Sequence, residues 1–421
     1  MIERAIDAVD GDRLRSDIEA NAEFGKLDIE AGRGRTVLPG TDADRRCRER
    51  LVDRLEEAGL DVRVDRVGNI VGRYVPPGAD PNAAAVASGS HLDSVPRGGI
   101  FDGPLGVYGA LEAVRAIDAA GCELARPIEV VSFTDEEGHR FGDSLIGSAV
   151  AAGSLPVDDA LSLTDECGET MREGLDRIGF LGEGVVDASD WDSMLEVHIE
   201  QGTRLERAGI PAGIVTGIAG QTRCIVEIEG ETDHAGVTGM ADRTDALAAA
   251  ATLVTEIETV ANELATDRGT TVATVGRIDV EPGAINVIPG TASLSVDIRD
   301  TETKSVKTIV SAIETHLARL EANRGVETTL ERLYTIEPIP MADRCRNALS
   351  GAAAAADVSS RSLHSGAGHD TMQVASVTDA GMLFVPSSEG RSHSPLEWTD
   401  WDDCTAGVCV LTGALVSLAR E

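Results

Sequence analysis

Residues 83–103 read AAAVASGSHLDSVPRGGIFDG, and the fold turns on how that stretch divides. Its first six residues are small and apolar, which suits a strand buried on both faces. The remainder, residues 89–103, holds four glycines and a proline. That content predicts a shaped loop, since neither a helix nor a strand runs comfortably through it. Loops that leave the ends of strands in an α/β sheet are where ligands bind. This one carries His91, Asp93 and Asp102.

Outward from it, helical and strand patterns alternate. Residues 43–60 form an amphipathic helix stopped by Gly59, and 62–75 two short strands turning near Gly68 and Asn69. Residues 104–121 read as a helix. IEVVSFTDEEG (128–138) is an apolar strand that breaks into acids, and MLEVHIEQG (194–202) repeats the plan. The predicted class is α/β, a mixed sheet flanked by helices. From about residue 212 the strands alternate apolar and polar, as in RCIVEIEG and ASLSVDIRD, and two long helices follow at 241–265 and 301–325. That texture predicts an α+β unit of about a hundred residues over 212–329. It is inserted into a discontinuous domain made of 1–211 and 330–421.

Composition narrows the function. The chain has 421 residues with 37 basic and 72 acidic side chains, a net charge of −35. Such a field repels nucleic acid and anionic membrane surfaces. Lysine occurs only at Lys26, Lys304 and Lys307, and aromatics make up 3%. This is the style of salt-accumulating, halophilic cells, where salt screens the self-repulsion. The N-terminus has no apolar secretory stretch and no run reaches membrane-spanning length, so a cytoplasmic location is expected. Seven scattered cysteines without CxxC spacing argue against disulfides and against a thiolate metal site.

The chemistry gathers just after the predicted strands: His91, Asp102, the pair Glu136 and Glu137, His198, and His393. Imidazole and carboxylate ligands suit zinc, manganese or cobalt. Two ions about 3.5–4 Å apart share a bridging carboxylate and acidify a common water. Adjacent acids then divide the work, one binding metal and its neighbour taking the proton. Asp93 is placed to accept the other N–H of His91 and fix its tautomer. Taken singly, each residue has a plain structural role, such as a capped histidine or a solvated acidic turn.

Seven segments occur in one order: GSHLDSVPRGGIFDGPLGV, TDEEGHRF, LEVHIEQG, DHAG, INVIPG with VDIRD, SGAGHD, and PSSEGRSHSPLEW. Together they resemble the hydantoinase/carbamoylase family of dinuclear metal amidohydrolases, from about residue 20 to the C-terminus. The resemblance implies a zinc-peptidase-like catalytic domain with an inserted ferredoxin-like dimerisation or lid domain, and two divalent ions per subunit. It implies that His91 and His198 serve one ion, Glu137 and His393 the other, and that Asp102 bridges. Glu136 would be the general base and His234 an oxyanion donor reaching across a homodimer. Asn286 and Arg299 would clamp a substrate carboxylate, and Gln201 would make a polar contact beside the metals. The implied substrate is a small ureido or amide acid: an N-carbamoyl-L-amino acid, or alternatively allantoate or β-ureidopropionate. An aminoacylase or dipeptidase is the near rival, and a non-catalytic metal-stabilised binding protein the distant one. Here the family's usual Thr-Thr-Pro-Met after HAG is Val237-Thr238-Gly239-Met240. No role is assigned to His139, His364 or His369.

Overall fold

The computed structural model describes residues 1–142 and 144–420. Two compact units divide the chain: Met1–Thr216, Met341–Leu363 and Gly368–Glu421 form one, and Gly217–Pro340 with His364–Ala367 forms the other. The strands in chain order are β1 (Asp61–Val64), β2 (Ile70–Tyr74), β3 (Val86–His91), β4 (Ile128–Phe133), β5 (Ser193–Ile199), β6 (Ala212–Ile218), β7 (Gly220–Glu229), β8 (Val272–Glu281), β9 (Thr291–Asp300), β10 (Glu327–Ile336), β11 (Ile339–Pro340), β12 (Ser360–Ser365) and β13 (Asp379–Val385).

The sheet of the first unit runs β1-β2-β4-β3-β5-β13-β6, with β12 also beside β6. Strands β3, β4, β5 and β13 are mutually parallel, while β1, β2 and β6 pair antiparallel at the flanks. Every residue of β3, β4 and β5 is buried, the signature of strands covered on both faces. The helices Pro104–Ala119, Asp343–Ala355 and Trp401–Leu418 contribute most of the apolar cover. Contrary to the expectation that no run reaches membrane-spanning length, the last of these is long and apolar enough to cross a membrane, yet 61% of it is buried inside the unit, as in a core helix. Glu129, inside β4, is matched by Arg63 at 2.9 Å, Arg73 at 2.7 Å and the Trp191 indole at 2.7 Å. A buried carboxylate is tolerable only with such partners.

One boundary differs from the sequence reading. The strand does not stop at Ser88 but continues through Gly89 and Ser90 to His91. Glycine is what lets it continue, because a Cβ on Gly89 would lie 1.8 Å from the Val131 carbonyl oxygen of the neighbouring strand. The loop proper therefore begins after His91.

The second unit is a four-stranded antiparallel sheet in the order β10-β7-β9-β8. One face packs on the helices Ala246–Arg268 and Thr303–Arg324 through Val226, Leu253, Leu294, Ile298 and Ile313. Along β9 burial alternates strictly, so its polar residues line the opposite face. The end of β6 pairs with β11, Ile218 opposite Ile339.

Candidate active site

Because β3, β4, β5 and β13 run parallel, their carboxyl ends lie on one edge of the sheet. His91 ends β3, Thr134–Glu137 follow β4, His198 is the penultimate residue of β5, and His393 follows β13 by eight residues. This is the edge where open α/β sheets bind ligands.

Asp102 is the hinge of the arrangement. Its Oδ1 lies 3.1 Å from His198 Nε2 and 3.6 Å from His91 Nε2. Its Oδ2 lies 3.8 Å from His393 Nε2, which is 3.2 Å from Glu137 Oε2. The ligand atoms therefore form two sets that share only Asp102: an inner, fully buried set with His91 and His198, and an outer set with Glu137 and the more exposed His393. The donors fit divalent ions. Two atoms held about 2.0–2.2 Å from one tetrahedral cation lie roughly 3.4 Å apart. His91 Nε2 is buried with no hydrogen-bond partner, an expensive state for a bare polar atom and an apt one for a ligand. A third cluster, Glu196 with His198 and His369, has the right residue types. Its glutamate is already spent on Ser90 Oγ at 2.7 Å and Thr371 Oγ1 at 2.5 Å.

The loops are held tightly. Gly103 has φ +81°, and a Cβ there would sit 2.5 Å from His91 Cε1, so only glycine lets the loop return over the imidazole. His91 Nδ1 lies 3.2 Å from the main-chain oxygen of Asp93 and 3.6 Å from its carboxylate. The carboxylate instead accepts the main-chain N–H groups of Glu136 (3.3 Å) and Glu137 (3.1 Å), fixing the loop that carries the paired acids. The orienting oxygen for His91 is thus the Asp93 carbonyl. Asp135, Gln201 and His393 all have positive φ, a strained choice for such residues that clusters at functional loops.

Three contacts around Asp102 involve residues with other expected roles or none. The Gln201 amide donates to Asp102 Oδ2 at 2.9 Å, so here it meets the shared carboxylate. Ser392 donates to the same oxygen at 2.5 Å, and Glu397 Oε1 accepts the main-chain N–H of Asp102 at 3.1 Å. His369 packs edge-on against His198, ring centroids 4.6 Å apart. The signal that could have found Ser392 and Glu397 is their place within RSHSPLE, on either side of His393.

Electrostatics divides these groups. Burial opposes charge on His91, but Glu136, Asp102, Asp93 and Glu137 outweigh it and hold the imidazole well above its ordinary pKa. Burial likewise opposes charge on His198, and Asp102 overrides it, raising the pKa to about 9. Burial disfavours the Asp102 anion, yet His198 and His91 keep it well below the usual carboxylate range. Glu136 goes the other way. Burial, only partly opposed by His91 and reinforced by Glu137, Asp370 and Asp102, holds it well above that range. Burial also raises Glu397 to about 8, Asp102 adding to the effect. A metal ion needs neutral imidazole, so uptake at His91 and His198 would displace the protons that the raised pKa values favour there. Calorimetry in two buffers of different ionisation heat is expected to show net proton release at neutral pH, with affinity rising as pH approaches about 9. Binding without proton release would contradict these charge states.

The remaining predicted residues lie in the second unit. His234 is exposed, and its Nδ1 accepts the Gly236 N–H at 2.9 Å, which leaves the proton of the neutral ring on Nε2, free to donate outward. Asp233, Thr238 and Arg243 pin the segment: Thr238 Oγ1 donates to Asp233 at 2.7 Å and Arg243 to the Ala235 carbonyl at 2.7 Å. Asn286 is adjacent, its carbonyl accepting the Ala235 N–H at 2.9 Å. Arg299 donates to Asp297 at 2.9 Å and to the Gly366 carbonyl at 2.9 Å.

Comparison with known proteins places this geometry. The profile of peptidase family M20/M25/M40 matches residues 87–417. The N-carbamoyl-L-amino acid amidohydrolase of Geobacillus stearothermophilus is 39% identical over 416 residues, covering 98% of this chain and 99% of the relative. The allantoate amidohydrolase of Bacillus subtilis is 36% identical over 364 residues, 86% of this chain and 87% of the relative. Among solved structures, an amidase of the hydantoinase/carbamoylase family from Burkholderia multivorans superposes with a TM-score of 0.91 at 37% identity, covering 98% of each chain.

Proposed function

The chain belongs to peptidase family M20/M25/M40, and from that premise we propose that it hydrolyses the carbamoyl C–N bond of an N-carbamoyl-L-amino acid. The observation that carries the reading is Asp102 facing two separate ligand sets with its two oxygens. His91 and His198 would hold one divalent ion, Glu137 and His393 a second, with Asp102 common to both. When bound, such a pair acidifies a water and polarises the scissile carbonyl. Zinc, manganese and cobalt all suit the donors.

The chain's own groups supply the rest. Glu136 makes no side-chain hydrogen bond among the described residues and lies 3.8 Å from His91 Nε2. Its raised pKa suits a group that takes a proton from the attacking water and returns it to the departing nitrogen. The water oxygen bonds to the carbonyl carbon, the C–N bond to the amino acid breaks, and the carbamate released decays to ammonia and carbon dioxide. His234, protonated at Nε2, donates to the developing oxyanion. Arg299 and Asn286 hold the substrate carboxylate, a task matched to a forked guanidinium. The second unit mediates a homodimer in which His234 serves the partner's site. In support, Val237 and Met240, shortly after His234 in sequence, and Ile285, next to Asn286, are at least 80% exposed, apolar surface of the kind interfaces cover. The acidic surface suits the cytoplasm of a salt-accumulating cell.

The Bacillus subtilis relative favours a second reading, allantoate as substrate. Ammonia release at high salt, with manganese, cobalt or zinc added, decides across a panel of N-carbamoyl-L-amino acids, allantoate and β-ureidopropionate. Amino-acid release from N-acetyl amino acids and dipeptides completes it. N-carbamoyl-L-amino acids are expected to turn over fastest. A lead for allantoate selects the second reading, and turnover confined to acetyl or peptide substrates overturns both.

A further inference from the structure

Glu397 is a buried carboxylate that neither the ligand sets nor the proposed chemistry uses. It is 1% exposed, and no cationic side chain pairs with it among the described residues. Its Oε1 accepts two consecutive main-chain N–H groups, Phe101 at 2.9 Å and Asp102 at 3.1 Å, from a segment almost three hundred residues earlier. Its Oε2 is buried without a hydrogen-bond partner. The earlier loop is shaped to admit it: a Cβ on Gly99 would lie 2.1 Å from the Glu397 carboxyl carbon. The later loop is shaped to deliver it, for the Glu397 N–H bonds the Ser394 carbonyl at 3.0 Å and closes a turn directly after His393. Ser392, on the other side of His393, holds Asp102 Oδ2 at 2.5 Å. Residues 392–397 thus grip Asp102 twice, by its side chain and by its main chain, with His393 between the grips.

We infer that Glu397 is a positioning residue: it clips the His393 loop to the Asp102 loop and thereby assembles the outer metal position, Asp102 with Glu137 and His393. The inner position depends less on the clip, since two of its three groups, His91 and His198, sit on neighbouring parallel strands. Docking of the two segments as such does not depend on Glu397, because Phe101 packs against Trp398 and Trp401 with ring centroids 5.4 and 5.0 Å away. The inference rests on the two-ion reading above.

Equilibrium dialysis against cobalt, with the visible spectrum as a second readout, separates the two. A wild-type protein that binds no pair of ions removes the reading on which the inference rests. Given a wild-type pair, Glu397→Ala is expected to weaken the second ion by about 10–100-fold, the usual cost of losing a supporting contact. The first ion and the melting temperature of the metal-free protein should be nearly unchanged. Glu397→Asp, too short to reach both N–H groups, should behave alike, and decides the matter if the alanine variant does not fold. Glu397→Gln keeps an acceptor in the same place and should restore the second ion to within a few-fold of wild type. Two ions bound with wild-type affinity by the alanine or aspartate variant, or both ions weakened equally along with the fold, would overturn the assignment.

Discussion

Glu136→Gln is expected to lower kcat by about 10²–10⁴-fold, the range for loss of a general base, while leaving metal content and fold intact. The substitution is nearly isosteric. It preserves the main-chain N–H that Asp93 holds at 3.3 Å, and it breaks no side-chain hydrogen bond among the described residues. What it removes is the carboxylate that would take up and return the proton. Two further consequences make the test specific. First, Glu136 leads the groups that hold a proton on His91 against burial, so the variant should release fewer protons on taking up metal. Second, the raised pKa of Glu136 means that its contribution to stability is present below the unfolded-state pKa and is lost as pH rises through the folded one. The metal-free glutamine variant should therefore melt no lower than wild type at neutral pH and above. Turnover within about tenfold of wild type would take the base assignment away from Glu136.

Much of this was legible from residue type and order, and the exceptions have physical causes. Strands β4, β5 and β13 announce themselves as apolar runs because both faces are covered. The candidate ligand residues stand at or just beyond their ends because parallel strands share an edge. Gly89, by contrast, reads as a loop glycine, and only its approach to the Val131 carbonyl shows that it continues a strand. Asp93 sits two residues from His91 and invites the guess that its carboxylate orients the imidazole. The carbonyl does that instead, because the carboxylate is drawn to two N–H groups some forty residues later. Ser392 and Glu397 are ordinary residues in sequence. Their place beside His393 marks them out locally, but the groups they touch lie 290 and 295 positions away. The resemblance implies a polar contact beside the metals for Gln201, and residue type alone does not say that its amide donates to the Asp102 carboxylate.

Asp102→Asn should be the most damaging single change, because one side chain serves both ligand sets. Its Oδ1 addresses His198 and His91, and its Oδ2 addresses His393 while accepting from Gln201 and Ser392. An asparagine has an acceptor at one end only and carries no charge, so whichever way it turns, one set loses its shared ligand and both lose the anion. Metal content is expected to fall from two ions to one or none, and hydrolysis to the level of the metal-free protein. Stability shifts as well, in a direction set by the charges. The depressed pKa of Asp102 contributes stability that is present above its unfolded-state value and is lost as pH falls through the folded one. At neutral pH the metal-free variant forfeits that contribution. Breaking a buried ion pair costs about 3–5 kcal/mol when a charge is stranded. The loss here should be smaller, because His198 without Asp102 gives up its proton. A proton inventory by NMR of the imidazoles of the metal-free proteins would show this directly: His198 is expected to titrate near 9 in wild type and well below that in the variant. Retention of two ions by the asparagine variant would mean that the sets do not share this carboxylate, and with that the role of Asp102 as a ligand common to both ions fails.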